Sequence, residues 1–463
     1  MGTQRTHDVI VIGGGSAGYA AARTARAAGA DVAIVDHVPL GGLCILRGCM
    51  PSKALLRSAE VAALMRRAND FGLSPVDVRA NLGSIMDRKN QLVQEFADYR
   101  IRQLQDPAFT LYEARATFRS PHEIDAGGVT LSAKAFIIAT GSSPCEAAIP
   151  GLTDADFFTS DSILDLRTLP TSLLVLGAGP VALELGQFFS RLGTKVTILQ
   201  RGETILSEMD EDVGQALEAA LRNEGIEVIT DAQLLRVTSD KSGKSVWVKQ
   251  AGRERVFTGE TILQALGRRP NISGLQLDSA AVDVTAGRIV TDEAMRTSQP
   301  HIFAVGDVND LTPIVHLAIQ QGEIAGFNAT HPGPIPKEID HRLDAEVVFT
   351  EPQVAVAGLN ERTCRTNGIP YLKASYPFGD HGKALCRGDL HGFVKLLAAP
   401  SNGRLIGAQI VGPEAGELIH ELLAVMYFQG TAADLLRIPH YHPTLAEIVT
   451  YPAEALVEQL GAL

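Results

Sequence analysis

Two cysteines, Cys44 and Cys49, are separated by four residues in the segment GGLCILRGCMPSK. Residues five apart in a regular helix lie too far apart for a disulfide, because bonded cysteines keep their Cα atoms within ~7 Å. A bond between them therefore requires a distorted turn, and Gly48 and Pro51 supply the irregularity. The charge of Lys53 and the dipole of a helix beginning near Pro51 would stabilise a thiolate here. The pair is either a redox-active disulfide or two buried structural cysteines.

A second cluster, HYHPTLAEI at residues 440–448, combines a histidine with a carboxylate. Pro443 suits the first turn of a helix, which places His442 just before that helix and Glu447 within its opening. A nearby carboxylate orients an imidazole and stabilises its charged form, which suits acid–base catalysis near neutral pH. The spacing predicts such a base, although histidine–glutamate pairs are also common as purely structural contacts.

An internal repeat predicts the elements that position these groups. The segment DVIVIGGGSAGYAAARTARAAGADVAIVDH reappears 164 residues later as SLLVLGAGPVALELGQFFSRLGTKVTILQR. Each copy reads as strand, glycine-rich turn, helix and strand, with glycines at 13, 15 and 18 in the first copy and at 177 and 179 in the second. Such glycines permit a tight turn, a close approach to a pyrophosphate and tight helix–strand packing, while the helix N-terminus attracts phosphate. Two copies predict two dinucleotide sites.

The residue that ends the second strand differs between the copies. Asp36 ends the first copy, where a carboxylate can bind a ribose hydroxyl. The second copy has Gln200 followed by Arg201, and a neutral residue beside a guanidinium accepts a 2′-phosphate. This difference favours NADP(H) at the second site, unless Arg201 is only a solvated charge at the strand end.

Composition excludes several classes of protein. The 463 residues are 45% hydrophobic and 20% charged, which is typical of a globular protein of roughly three domains and not of a disordered chain. The net charge of −12 gives no basic footprint for nucleic acid. No uninterrupted apolar run approaches the ~18 residues of a membrane span. Five cysteines form no disulfide scaffold, and the strand-like run at 8–13 leaves no room for a secretory signal, so we expect a reducing, cytoplasmic location.

The cysteine segment resembles the signature G-G-x-C-x-x-x-x-G-C-x-P-S-K of the class I pyridine nucleotide–disulfide oxidoreductases. The resemblance runs from about residue 7 to 450 and includes the segments ATGSSP (139–144), ALGRRPN (265–271), TSQPHIFAVGDV (297–308) and FTEPQVAVAGL (349–359). It implies an α/β fold with two Rossmann-like dinucleotide-binding domains and a C-terminal α+β dimerisation domain. The implied limits are 1–150 and 272–338 for an FAD domain, 151–271 for an NAD(P) domain and 339–463 for the interface domain.

The same resemblance implies the site residues. The implied FAD contacts are Gly13, Gly15, Ser16, Gly18, Asp36, Gly42, Thr140, Gly141 and Asp307. The implied contacts of NAD or NADP are Gly177, Gly179, Gln200, Arg201 and Gly267. The implied catalytic residues are Cys44, Cys49, Lys53, Glu184, His442 and Glu447, with no metal site. In such proteins the lysine pairs with the glutamate near the flavin, where it can stabilise charge on the reduced ring.

The resemblance further implies an obligate homodimer, because in relatives the histidine–glutamate pair reaches the disulfide of the other subunit. His442 would take a proton from a dithiol, and the resulting thiolate would attack Cys44. Cys49 would face the flavin and pass electrons to FAD, which hands a hydride to the nicotinamide. Each step would reverse in the reducing direction.

The substrate is indicated by the histidine segment. HYHPTLAE is most similar to the H-A-H-P-T-L-x-E of dihydrolipoamide dehydrogenases, including His440, and His316 matches another of their segments. We therefore expect a small or protein-bound dithiol, such as that of a lipoyl protein. The alternative is NADPH-dependent reduction of a glutathione-type or other anionic disulfide. Arg23 and Arg47 favour that alternative, whereas Glu323 disfavours it because glutathione reductases have a substrate-binding arginine at that position.

Other members and other classes of protein are less favoured. Mercuric reductases and high-molecular-weight thioredoxin reductases add C-terminal redox residues, whereas no cysteine follows Cys386 here. A docking subunit of a multienzyme complex could present the segment 416–428, although that segment suits a dimer core better. A redox sensor or oxidase without disulfide turnover would keep its activity after Cys44→Ser.

Overall fold

The computed structural model describes residues 4–74, 76–241, 243–334 and 336–461. The helices are α1 (Ser16–Ala27), α2 (Leu43–Leu46), α3 (Cys49–Arg66), α4 (Leu82–Leu104), α5 (Pro180–Arg191), α6 (Glu211–Asn223), α7 (Val315–Thr330), α8 (Glu361–Asn367), α9 (Gly382–Arg387), α10 (Ala415–Tyr427), α11 (Ala432–Leu436) and α12 (Thr450–Gln459). The strands are β1 (Gln4–Ile12), β2 (Val32–Asp36), β3 (Thr110–Glu113), β4 (Ala116–Ser120), β5 (Glu123–Ala126), β6 (Val129–Ile138), β7 (Ser142–Pro144), β8 (Phe158–Thr159), β9 (Ser172–Leu176), β10 (Lys195–Leu199), β11 (Glu227–Ile229), β12 (Gln233–Asp240), β13 (Gly243–Gln250), β14 (Arg253–Gly259), β15 (Thr261–Gln264), β16 (Arg268–Pro270), β17 (Val284–Thr285), β18 (Arg288–Ile289), β19 (Ile302–Ala304), β20 (Ala345–Val348), β21 (Gln353–Gly358), β22 (Leu372–Pro377), β23 (Phe393–Ala398) and β24 (Leu405–Gly412). Within the described ranges, each helix is too short or too polar to cross a membrane.

The repeat predicted from the sequence is confirmed as two strand–helix–strand units. In the first copy of the repeat β1 and β2 run parallel, with Val9 opposite Val32, and α1 connects them. In the second copy of the repeat β9 and β10 run parallel, with Leu173 opposite Val196, and α5 connects them. Both helices are 12 residues long, and Pro180 occupies the first turn of α5, where its missing N–H costs nothing.

The chain forms two compact units, of which the first comprises Met1–Pro51, Asp87–Glu146 and Gly267–Ile339. Its main sheet has the strand order β3-β2-β1-β6-β5-β4, and β19 pairs in parallel with β6. Helix α7 packs on α1 with backbone contact, since a Cβ added at Gly322 would lie 2.2 Å from the carbonyl oxygen of Ala17. This close contact holds the helix of the first dinucleotide motif against the sheet.

The second unit comprises Ser52–Met86, Ala147–Leu266 and Asp340–Leu463. It contains a parallel sheet of order β11-β10-β9-β15-β8 and an antiparallel sheet of order β12-β13-β14. Its C-terminal part is the predicted α+β fold, an antiparallel sheet of order β20-β21-β24-β23-β22 that packs against α10 and α12. The finer division of the chain into three domains at the limits given above stays a prediction.

A buried ionic cluster joins three elements of the second unit. Lys395 of β23 is 2% exposed, and its Nζ lies 2.9 Å from Asp210, 2.7 Å from Asp212 and 3.1 Å from Glu361. These carboxylates are close enough together to resemble a cation site, but the lysine ammonium already lies among them. Burial raises the pKa of Asp210, but the hydrogen bond and charge of Lys395, together with the backbone N–H groups of Glu361 and Arg362, outweigh burial and hold this pKa below its usual value.

We expect Lys395→Met to lower the free energy of unfolding by about 3 kcal/mol at pH 7, because Asp210 stays buried without the Lys395 ammonium, whereas Glu361 keeps its pair with Lys373. The loss should shrink near pH 4.5, where the stranded carboxylate of the folded variant takes up a proton. The wild-type protein keeps its ionic contribution above the unfolded pKa of about 4 and loses it only as the pH falls further. Urea unfolding at both pH values measures this difference.

Lys134→Met is the matched control, since its pair with Asp8 is exposed and its loss should leave stability nearly unchanged. A destabilisation by Lys395→Met that is as large at pH 4.5 as at pH 7 would contradict the prediction.

Candidate active site

The cysteine segment forms two helices with a break between them. Cys44 lies in α2 and Cys49 is the first residue of α3, and both are half-buried. The break falls at Arg47 and Gly48, where the chain folds back so tightly that a Cβ on Gly48 would lie 3.1 Å from the Cα of Cys44. The predicted distortion is therefore present, and it depends on a glycine.

The helix after the break begins earlier than the sequence suggested. We expected a start near Pro51, but α3 starts at Cys49, because proline is tolerated anywhere in the first turn and does not fix the first residue. Cys49 thus lies at the positive end of an 18-residue helix. The helix dipole there favours the thiolate form of a cysteine.

His442 and Glu447 are in direct contact. The Nδ1 of His442 lies 2.9 Å from Oε2 and 3.2 Å from Oε1 of Glu447. The imidazole side chain is 78% exposed, whereas that of the carboxylate is only 12% exposed. A ring held from behind in this way presents its outer edge to solvent and can exchange protons there.

The expected helix around Pro443 is absent from the structure, so that prediction was wrong. Residues 440–445 are not helical, Glu447 lies in the 3-10 turn Ala446–Val449, and α12 begins only at Thr450. The contact between His442 and Glu447 is therefore made by a loop and a tight turn. Proline fixes its own φ but does not specify a helix, which is why the sequence pattern misled.

Lys53 and Glu184 also form a close pair. The Nζ of Lys53 lies 2.8 Å from Oε2 and 3.1 Å from Oε1 of Glu184, whose side chain is 5% exposed. The backbone N–H of Phe349 donates to the same carboxylate at 2.9 Å, and the Phe349 ring lies under the lysine ammonium at 4.4 Å. Sequence reasoning missed Phe349, because a backbone donor leaves no signature in side-chain type.

The first dinucleotide motif forms a cradle that leaves no room for a side chain at Gly13 or Gly18, whereas a Cβ on Gly15 would make only an ordinary contact of 3.8 Å. Gly13 has φ +107°, and a Cβ there would lie 2.3 Å from a backbone oxygen, while one on Gly18 would lie 1.8 Å from the oxygen of Gly13. A Cβ on Gly42 would lie 2.6 Å from the Cα of Gly15, and Ser16 begins α1 beside them. Backbone N–H groups at a helix start, with no Cβ to exclude a ligand, fit the pyrophosphate of a dinucleotide.

The remaining predicted FAD contacts lie in the same unit. The carboxylate of Asp36 accepts from the N–H groups of Gly14 at 3.0 Å and His37 at 2.9 Å, and burial raises its pKa against these hydrogen bonds. Asp307 accepts a hydrogen bond of 2.6 Å from the hydroxyl of Ser142. Thr140 donates to a backbone carbonyl at 2.7 Å, and Gly141 after it has φ +70°. The carboxylate of Asp36 is of the type that binds a ribose hydroxyl, and the assignment of these four residues to FAD stays a prediction.

The second motif is similar but leaves more space. A Cβ on Gly177 would lie 2.6 Å from a backbone oxygen, whereas a Cβ on Gly179 would have no described neighbour within 4 Å. Gln200 donates from its amide to the carbonyl of Thr204 at 3.2 Å, and the Arg201 side chain is exposed. Gly267 has φ +103° and belongs to the other compact unit.

Of the three residues that bear on an anionic substrate, Arg23 and Glu323 form an ion pair. Arg23 donates to Glu323 at 2.6 Å, so the carboxylate that disfavours an anion also neutralises the arginine that favours one.

Arg100 was missed by the sequence analysis, since nothing in its neighbours marks it. Its guanidinium lies 4.6 Å from the centre of the Tyr19 ring and donates to the carbonyl of Gly15.

Comparisons with known proteins give the family and the fold. Residues 7–322 match the family described as pyridine nucleotide-disulphide oxidoreductase, and residues 345–453 match the dimerisation domain of that family. A dihydrolipoyl dehydrogenase of Thermus scotoductus is 34% identical over 98% of this chain and 98% of its own. A mercuric reductase of Staphylococcus aureus is 33% identical over 95% of this chain and 81% of its own. The HOCl-induced flavoprotein disulfide reductase RclA from Escherichia coli, 24% identical, shares the fold with a TM-score of 0.84 over 96% of this chain and 99% of its own.

We expect Gly48→Ala to slow closure of the Cys44–Cys49 bond by about tenfold or more, because the added Cβ displaces Cys44 from its bonding position. Thiol counts during oxidation by diamide measure the rate. Gly379→Ala is the control, since its nearest neighbour would be an ordinary 3.7 Å away. Equal closure rates in the Gly48→Ala and wild-type proteins would show that the glycine contact does not set the cysteine geometry.

Proposed function

This chain belongs to the pyridine nucleotide-disulphide oxidoreductase family, and on that premise we propose that it is a dihydrolipoamide dehydrogenase-like dithiol oxidoreductase. Members of the family bind FAD and use a nicotinamide coenzyme. The observation that carries the proposal is the His442–Glu447 pair at 2.9 Å within HYHPTLAE. Such a pair supplies the base that dithiol oxidation needs, and the match of residues 345–453 to the dimerisation domain supports a homodimer.

In this proposal the predicted site residues keep their assigned roles. The cradle of Gly13, Gly15, Ser16, Gly18 and Gly42, together with Asp36, Thr140, Gly141 and Asp307, holds FAD, and Gly177, Gly179, Gln200, Arg201 and Gly267 serve the nicotinamide coenzyme. When bound, FAD supplies two-electron transfer between the reduced cysteine pair and the nicotinamide. The three domains have the limits predicted from the sequence.

The cysteines and His442 carry out the exchange with substrate. His442 takes a proton from the first substrate thiol, and the thiolate attacks the Sγ of Cys44 while the Cys44–Cys49 bond breaks. Cys49 leaves as a thiolate, stabilised by its position at the start of α3. The second substrate thiol, once deprotonated, attacks the substrate sulfur of the mixed disulfide and releases Cys44. The substrate is then oxidised by two electrons, and the cysteine pair holds them.

A second candidate function is NADPH-dependent reduction of an anionic disulfide. The observation that favours it is the position of Arg100. Its guanidinium donates to the carbonyl of Gly15, and Gly15 lies against Gly42, two residues before Cys44. Burial lowers the pKa of Arg100, while charge on Tyr19 and Cys44 opposes that effect. A cation beside Cys44 would attract an anionic disulfide. The ion pair of Arg23 with Glu323 weakens this reading.

The decisive assay is reduction of NAD+ and NADP+ by free dihydrolipoamide, with purified, FAD-replete protein. We expect rapid turnover, loss of turnover in Cys44→Ser and a fall of about a hundredfold or more in His442→Gln, because a positioned base contributes that much. His391→Gln, an exposed histidine in the loop before β23, is the control and should behave as wild type.

Two further arms separate the alternatives. The absence of dihydrolipoamide turnover, in protein whose flavin is still reduced by NADPH, would overturn the proposal. Turnover of glutathione disulfide would then support the anionic-disulfide function, and Hg(II)-dependent NADPH oxidation would support the activity named for the Staphylococcus aureus relative.

The choice of coenzyme depends on Arg201 in this proposal. We expect Arg201→Ala to raise KM for NADP+ by about tenfold and to leave KM for NAD+ unchanged, because a charge-assisted hydrogen bond to the 2′-phosphate is lost. Arg253→Ala, on an exposed strand of the same unit, controls for loss of surface charge. Equal effects on the KM values of both coenzymes would mean that Arg201 does not bind the 2′-phosphate.

A further inference from the structure

A second, fully buried histidine lies behind the carboxylate of the candidate base. The His381 side chain, just before α9, is 0% exposed, and its Nε2 lies 3.3 Å from Oε1 of Glu447. The Oε2 atom of the same carboxylate lies 2.9 Å from Nδ1 of His442. One carboxylate is therefore shared between an exposed imidazole and a buried one.

Two aromatic rings pack beside His381. Tyr451 of α12 meets the ring edge-on, with centroids 6.2 Å apart, and Tyr376 of β22 stacks on Tyr451 at 4.1 Å. The hydroxyl of Tyr376 donates to the backbone carbonyl of Asp380, the residue before His381 in the chain. Among the described residues, the charges that act on the pKa of His381 are those of Glu447, which raises it, and His442, which lowers it.

His381 is unusual because its polar atoms gain so little from their surroundings. Among the described residues, neither ring nitrogen has a well-aligned hydrogen-bond partner. Burial lowers the pKa of His381, although the charge of Glu447 opposes the shift, so the ring is neutral at neutral pH. A buried imidazole without aligned partners costs stability that an apolar side chain of similar size would not. Packing alone therefore gives no reason for a histidine here.

We propose that His381 lowers the basicity of His442 by interacting with the carboxylate of Glu447, which both histidines contact. With its proton on Nε2, the neutral ring turns a positive edge towards Oε1 of Glu447 and reduces the charge that faces His442. If Glu447 interacted with His442 alone, its full charge would favour the imidazolium form of His442 and slow the release of the proton. A base works best when it gains and loses its proton near the ambient pH.

His381 is thus a positioning residue, because it acts through Glu447 and does not contact the substrate. This inference rests on the proposed function, in which His442 is the catalytic base. It concerns contacts within one chain only, so it can be tested without substrate.

The test compares His381→Leu, which removes the N–H donor at similar volume, with His381→Gln, which keeps one. Deuterium exchange at the C2 carbon of each imidazole, read by mass spectrometry, gives the titration midpoint of His442 in the FAD-replete protein. We expect His381→Leu to move this midpoint up by about half to one pH unit. The acid limb of kcat/KM for dithiol oxidation should move by the same amount, and His381→Gln should stay near wild type.

A double-mutant cycle identifies the route of the effect. In a Glu447→Gln background, His381→Leu should cause no further shift, because the shared charge is already gone. An unchanged or lowered midpoint in folded His381→Leu, or an equal shift in the Glu447→Gln background, would overturn the proposal. Should His381→Leu not fold, His381→Met takes its place. If wild-type protein oxidises no dithiol, the proposed function fails, while the exchange measurement still decides the role of His381.

Discussion

Backbone contact without side chains is the constraint on which the first compact unit depends. At Gly18 a Cβ would lie 1.8 Å from the oxygen of Gly13, so the start of α1 can be this close to the end of β1 only with glycine. A Cβ on Gly42 would likewise lie only 2.6 Å from the Cα of Gly15. Helix α2, which carries Cys44, begins directly after Gly42, so the position of Cys44 is fixed by the same tight packing that forms the dinucleotide cradle.

The buried ionic groups of the second unit have a different physical basis. Lys395 has three carboxylates around it, and replacing such a cluster with apolar residues often costs nothing, so its value lies in fixing how elements pair rather than in net stability. Asp210 precedes α6, Glu361 begins α8 and the lysine is on β23. Lys395 can be buried as an ammonium only where these carboxylates meet it, which disfavours alternative packings of these elements.

Local patterns in the sequence predicted the parts of the molecule that depend on local rules. Glycine spacing and apolar runs predicted both strand–helix–strand units, because turn geometry needs particular residue types at fixed positions. The break before Cys49 followed from disulfide geometry, whereas the first residue of α3 did not, since helix caps tolerate several residues. The contact of His381 with Glu447 and the N–H of Phe349 on Glu184 were not predictable, because tertiary packing brings them together and no spacing rule connects them.

The exposure of His442 has a genetic consequence if the base of one chain serves the cysteines of another. Its side chain is 78% exposed while the carboxylate behind it is buried, so each chain offers its base outward. A chain damaged at Cys44 and a chain damaged at His442 would each be inactive as homodimers. Mixed in one cell, they would form heterodimers that contain one intact centre and one doubly broken centre. Two null alleles of this gene would then complement each other and restore part of the activity.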